Sequence, residues 1–194
     1  MYLFFDTETT GLPRNWNAPL TDLNNWPRLV QLAWLYYDYK GNLVASKDVV
    51  VRPDGFSIPA DASRIHGITN EIANSRGLAI EKVLNDFDQL VKEATYLVAH
   101  NMSFDEKIVG AEYLRLQRLN PIPRKKKICT MMSTTDFCCI PGRYGNKWPR
   151  LSELHYKLFH SNFDEAHNAA VDISVTAKCF WELQRLGIFE KVAL

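Results

Sequence analysis

An apolar run at the start of the chain, Tyr2-Leu3-Phe4-Phe5, ends in Asp6-Thr7-Glu8-Thr9-Thr10-Gly11. Aromatic and branched side chains closed by a Thr-Thr-Gly turn signal predict a short buried strand. Side chains alternate faces along a strand, so Asp6 and Glu8, two apart, point to the same side. Two carboxylates sharing a face at the end of a buried strand repel each other. A hard cation between them removes the conflict, and oxygen ligands are what Mg²⁺ or Mn²⁺ take. The competing expectation is a pair of solvated acids in a turn.

Two later blocks place further acids beside apolar elements. His100-Asn101-Met102-Ser103-Phe104-Asp105 follows a second apolar run, Tyr96-Leu97-Val98-Ala99. His167-Asn168-Ala169-Ala170-Val171-Asp172 opens the last long helical pattern. In this order the three blocks resemble the motifs of the DEDDh 3′–5′ exonucleases, the polymerase III epsilon-like proofreading family of the ribonuclease H-like superfamily. The match is Asp-x-Glu with a following Thr-Gly, then Asn-x-x-Phe-Asp, then His-x-Ala-x-x-Asp, together extending over about 170 residues. Each piece is a weak signal alone, and three in family order are a strong one.

The rest of the chain reads as one exonuclease domain over residues 1–194, a length that can bury a full core. Residues 13–28, rich in Pro and Asn, form a loop, and strands follow at Leu29–Asp38 and Leu43–Arg52 around a Lys40-Gly41-Asn42 turn. These first three strands make an antiparallel meander. Ile58 to Thr69 is a short helix and loop containing His66-Gly67-Ile68-Thr69, a sequence similar to one the family often carries. Val83, Leu84, Phe87, Leu90 and Val91 mark an amphipathic helix leading into the strand Tyr96–Ala99. Ser103 is the expected cap of a helix reaching Arg118, stopped by Pro121 and Pro123, with a strand near Ile128–Thr130 beyond it. Residues 133–150 read as irregular, and Leu151, Leu154 and Leu158 as a short helix. A long helix over 168–186 places Val171, Val175, Cys179 and Leu183 on one side. The fold class is α/β, a ribonuclease H-like βββαβα mixed sheet with flanking helices.

Asp172 lies one turn inside the last helix and His167 just before it, five residues apart, so they share no helix face. Different jobs explain the spacing. Asp172 joins Asp6 and Glu8 on two Mg²⁺ or Mn²⁺ ions, and His167 reaches the attacking water, whose proton a neutral imidazole can take. The resemblance implies the same roles and adds Asp105 as the fourth acid. The bland alternatives are a helix-dipole acid for Asp105, a surface histidine for His167 and a solvated face for Asp172.

The resemblance makes Leu12 the residue that wedges against the terminal base. Backbone amides around Thr7 and Thr9 are positioned to meet the terminal sugar and phosphate. Phe104 is either a stacking platform or a core anchor. His100 and Asn101 either meet substrate or form a buried hydrogen-bonded pair. The basic run Arg124-Lys125-Lys126-Lys127, with Arg143, Lys147 and Arg150, guides a nucleic-acid backbone or is simply a solvated loop. A net charge of +1 argues against a histone-like binder without excluding a local basic groove.

The four cysteines lack metal-clamp spacing, and no signal peptide or membrane-length apolar run is present, which predicts reduced thiols in a cytoplasmic protein. The expected activity is metal-dependent 3′–5′ hydrolysis of single-stranded DNA ends. The alternatives are an RNA-trimming relative and a proofreading module bound to a DNA polymerase. Nothing after residue 186 resembles a polymerase-tethering tail, which favours a stand-alone enzyme.

Overall fold

The computed structural model describes residues 1–163 and 167–189. Five strands form a mixed sheet in the order β3-β2-β1-β4-β5: β1 (Tyr2–Thr9), β2 (Leu29–Tyr37), β3 (Leu43–Val50), β4 (Tyr96–Ala99) and β5 (Lys126–Cys129). β1, β2 and β3 pair antiparallel as a meander, whereas β4 runs parallel to β1 and β5 parallel to β4. Parallel neighbours need crossovers. Helices α3 (Ile80–Glu93) and α4 (Met102–Arg115) supply them, after two short helices, α1 (Ala60–His66) and α2 (Asn70–Arg76). The expected short helix and loop at 58–69 are α1 and the residues after it: Gly67, at φ 76, caps α1 in the left-handed region, and Thr69 accepts the amide of Ile72 to start α2, a helix the sequence did not suggest.

Residues 130–159 hold more structure than the sequence suggests: α5 (Thr130–Ser133), α6 (Thr135–Cys138), a two-stranded hairpin β6 (Pro141–Gly142) and β7 (Gly145–Asn146), then α7 (Leu151–Phe159). The last element is α8 (Ala169–Arg185).

Strand alternation divides the core. Leu3 and Phe5 pack with Val83, Leu84 and Phe87 of α3 and Ile108 of α4, and Tyr2 and Phe4 pack with Ile173, Ala177 and Phe180 of α8. β1 is thus covered on both faces, which is why its sequence is a continuous apolar run. It extends through Thr9, up to the expected Thr-Thr-Gly turn, so Asp6 and Glu8 are strand residues on one face, the α8 side.

Two helix readings are corrected. Asn101, not Ser103, is the N-cap of α4, and its carbonyl accepts the amides of Phe104 (2.8 Å) and Asp105 (3.3 Å). Val171 is 38% exposed, off the buried side of α8. Steps of four residues overshoot the 3.6-residue turn by about 40° each, so a stripe read from 171 to 183 starts on the solvent side at Val171 and swings round to the α7 flank by Leu183 without facing the sheet. The sheet-facing set is Ala169, Ile173, Ala177 and Phe180, while Val175, Cys179 and Leu183 pack towards α7. Among the described residues no helix is long and apolar enough to cross a membrane, and all four cysteines are free thiols.

Candidate active site

β2 follows β1 to Thr9, but β4 pairs with β1 only at Tyr2–Phe4 before the chain turns into α4. The ladder to β4 therefore ends just before Asp6, leaving a seam at the centre of the sheet. The first turn of α8 brings Asp172 to the same place. One carboxylate oxygen each from Asp6, Glu8 and Asp172 lie within 4.8 Å of one another. Asp105 reaches the seam from the α4 side, fully buried, and accepts a 2.7 Å hydrogen bond from the Thr7 hydroxyl. It stands beside the trio rather than within its 4.8 Å circle.

Burial, and then the charges of Asp105, Glu8 and Asp172, hold Asp6 well above the ordinary carboxylate range. Glu8 is pushed up to about 8 by burial and then by Asp172 and Asp105. Asp105 is raised to about 7 by burial, against the Thr7 hydroxyl and backbone bonds that favour its ionised form. Closely spaced carboxylates that resist ionisation together form an all-oxygen donor set, which suits a hard divalent cation.

Asn168 caps α8 by accepting the amide of Ala170 at 3.0 Å. His167, immediately before it, is exposed and has φ 38, a left-handed conformation uncommon outside glycine. This kink takes His167 off the helix. It lines a cavity of ≈ 190 Å³ with Asp172, Arg150, Leu151 and Phe163, so two residues that cannot share a helix face do share a site.

The substrate candidates are placed differently from one another. Leu12 is 72% exposed just past the turn. The Thr7 hydroxyl is spent on Asp105 and that of Thr9 on the Gly11 carbonyl (2.6 Å), so contacts from either fall to the backbone. Phe104 is half-buried against the main core, with its ring 5.7 Å from that of the half-exposed Trp16. Asn101 is half-buried at the start of α4.

His100 has both ring nitrogens engaged by protein, Nε2 with the Pro149 carbonyl (3.1 Å) and Nδ1 with Thr130 Oγ1 (3.0 Å). Burial lowers it to about 4, partly opposed by that carbonyl. The neutral ring therefore donates from Nε2 and accepts at Nδ1, and His100 acts as a tie between β4, α5 and the segment before α7.

The basic run is largely built into the sheet edge: Lys127 pairs with Glu106, Lys125 Nζ donates to the Lys92 and Ala94 carbonyls (2.8 Å each), and Lys126 lies over Tyr96.

The sequence reading passed over three supporting residues. Gln31, opposite Glu8 in the ladder, is buried, donates to Asp48 Oδ1 (2.6 Å) and accepts the Ala169 amide (3.3 Å) at the start of α8. A lone Gln inside an apolar strand is the signal that marks it. Glu112 on α4 is buried and accepts from Arg28 Nε (2.9 Å), Arg115 Nη1 (2.8 Å) and the Leu29 amide (3.1 Å). Arg28 in turn donates its amide to Thr10 Oγ1 (2.9 Å), which fixes the turn after Glu8.

A family model for exonucleases, RNase T, matches residues 3–180, from β1 into α8. The DNA polymerase III subunit epsilon of Treponema pallidum is 31% identical over 176 residues, 91% of this chain and 73% of that one. The PolC-type DNA polymerase III of Streptococcus pneumoniae is 36% identical over 115 residues, 59% of this chain but 7% of that protein. Among solved structures, exonuclease X in complex with 5′ overhanging duplex DNA aligns with a TM-score of 0.65 at 25% identity, covering 96% of this chain and 93% of that one. Exonuclease I of E. coli in complex with a dA16 oligonucleotide aligns with a TM-score of 0.70 at 20% identity, covering 95% of this chain and 40% of that one, which speaks for the fold alone. The span matched by the family model contains all four carboxylates and the histidine, and this chain belongs to the RNase T exonuclease family.

Proposed function

We propose that the protein hydrolyses phosphodiester bonds at 3′ ends of single-stranded DNA and releases nucleoside 5′-monophosphates. The observation that carries this reading is the convergence of Asp6, Glu8 and Asp172 within 4.8 Å, with His167 on the cavity that Asp172 lines. Asp6, Glu8 and Asp172, supported by Asp105, would hold two cations, Mg²⁺ or Mn²⁺, which when bound polarise the phosphate and ease ionisation of the attacking water. His167, exposed on its kink, takes that water's proton on a ring nitrogen. Thr7 fixes the Asp105 carboxylate, and Arg150 on the cavity wall supplies positive charge to the phosphate. Leu12 wedges against the terminal base, Asn101 and Phe104 border its pocket, and the backbone at Thr7 and Thr9 meets the terminal sugar and phosphate.

DNA is favoured over RNA by the DNA-bound exonuclease X likeness, and a polymerase is the natural partner by likeness to the epsilon subunit. The test is digestion of matched end-labelled DNA and RNA oligomers with Mg²⁺ or with EDTA. Mononucleotides are expected from the 3′ end of DNA, with Mg²⁺ only. Full activity in chelator, or release of 5′-terminal nucleotides first, would refute the assignment.

A further inference from the structure

Outside the acidic seam, the most unusual surface is the β6–β7 hairpin and the residues that follow it. Tyr144 is 88% exposed and Trp148 is 61% exposed, while most large rings among the described residues are buried or half-buried. Arg143 and Tyr144 form the two-residue tip between the paired Gly142 and Gly145, and the Arg143 guanidinium lies 5.1 Å from the Tyr144 ring centre. Gly145, at φ 118, adopts a conformation that other residues enter only with strain. The base is tied down by the Lys147 amide on the Ile140 carbonyl (2.9 Å) and by Asn146 on Asp136 (3.2 Å). A cavity of ≈ 310 Å³ opens among Arg143, Tyr144, Lys147 and Trp148.

This surface is continuous with the candidate active site. Trp148 is followed by Pro149, whose carbonyl holds His100 at the end of β4, and by Arg150, which lines the cavity of His167 and Asp172. A chain spans at most ~3.6 Å per residue, so the Trp148 Cα lies within ~7 Å of that of Arg150, and the Tyr144 Cα within ~22 Å. With stacked bases ~3.4 Å apart along a strand, both rings lie within the length of about six nucleotides of Arg150.

We propose that Tyr144 and Trp148 form a stacking platform for bases of the single strand upstream of the nucleotide being removed, with Arg143 and Arg150 meeting its phosphates. The proposal rests on the exonuclease reading for its direction. The chemistry favours a single strand because unpaired bases offer π-faces of any sequence to the rings, while the phosphates match the two arginines. Lys147 contributes less, since its ammonium is paired with Glu153 at 2.5 Å. Trp148 and Tyr144 pack little against the core, so their replacement leaves the fold intact.

The test compares Tyr144→Ala, Trp148→Ala, the double variant and the ring-keeping Tyr144→Phe and Trp148→Phe in the full chain. Fluorescence anisotropy with a labelled thymidine dodecamer in EDTA measures strand binding, and Mg²⁺-dependent hydrolysis of the p-nitrophenyl ester of thymidine 5′-monophosphate measures the bare active site. Each alanine variant is expected to lose about tenfold in dodecamer affinity, with the phenylalanine variants near wild type and ester hydrolysis unchanged throughout. Unchanged dodecamer affinity in the double variant, no dodecamer binding by the wild type, or an equal fall in affinity and ester hydrolysis would each overturn the platform. Loss of affinity in the variants while the wild type hydrolyses neither ester nor oligomer would leave the platform standing and sink the exonuclease reading instead.

Discussion

Glu8 gains a proton far more readily than a free glutamate because burial and two neighbouring acids penalise its charge. Its folded value of about 8 lies above its unfolded value of 4.5, so the stability gained by protonation is complete below 4.5 and is lost as pH rises through about 8. Asp105 behaves alike up to about 7. Metal-free protein should therefore melt at a lower temperature near pH 9 than near pH 5 through these groups. A cation that binds the ionised cluster should raise Tm more at the higher pH. Melting curves in EDTA and in Mg²⁺ check this, and Glu8→Gln should flatten the metal-free slope; an equal Mg²⁺ shift at both pH values would count against a cation between these acids. Asp6→Asn and His167→Ala should separate binding from chemistry. The first is expected to weaken Mg²⁺ binding and rate together. The second should keep metal and oligomer affinity while the single-turnover rate falls about 10²–10⁴-fold, and an unchanged rate would remove His167 from the mechanism.

At the scale of elements, α8 carries the acid and also seals one face of the sheet. Phe180, fully buried against Tyr2 and Phe4, should cost about 3–5 kcal/mol when replaced by Ala, whereas Val171→Ala should stay within about 0.5 kcal/mol. Urea denaturation distinguishes them, and similar losses for both would restore the stripe that the sequence suggested. Strand alternation is local, so Asp6 and Glu8 were legible as a pair on one face, but it was the resemblance of three motifs in order that joined them to Asp105, His167 and Asp172. The buried face of α8 was harder to read, since Val171 and Ile173 are equally apolar and only the 3.6-residue period separates them. Gln31 was missed because its partners, Asp48 and the Ala169 amide, meet it only in the folded sheet.

Across the whole molecule, helix–strand alternation fixed which strands run parallel, but nothing local revealed that β4 parts from β1 after Phe4 and leaves room for the acids. The Glu112 clamp was equally hidden, because Arg28, Leu29 and Arg115 reach it from the loop, β2 and α4. Glu112→Gln should cost about 3 kcal/mol, the lower end for a broken buried pair, since the Arg28 side chain keeps 25% exposure. Equilibrium unfolding measures it, and a loss under about 1 kcal/mol would show that water already screens the pair.

The cluster draws on the first strand and the last helix of the described fold. During synthesis the chain leaves the ribosome from its N-terminus, so Asp6 and Glu8 emerge before His167 and Asp172, which follow the whole five-stranded sheet. A growing chain can thus pair β1 with β2 and β3 and remain harmless to the nucleic acid around it. On the proposed reading of the site, it becomes a nuclease only when α8 docks across β1 and β2.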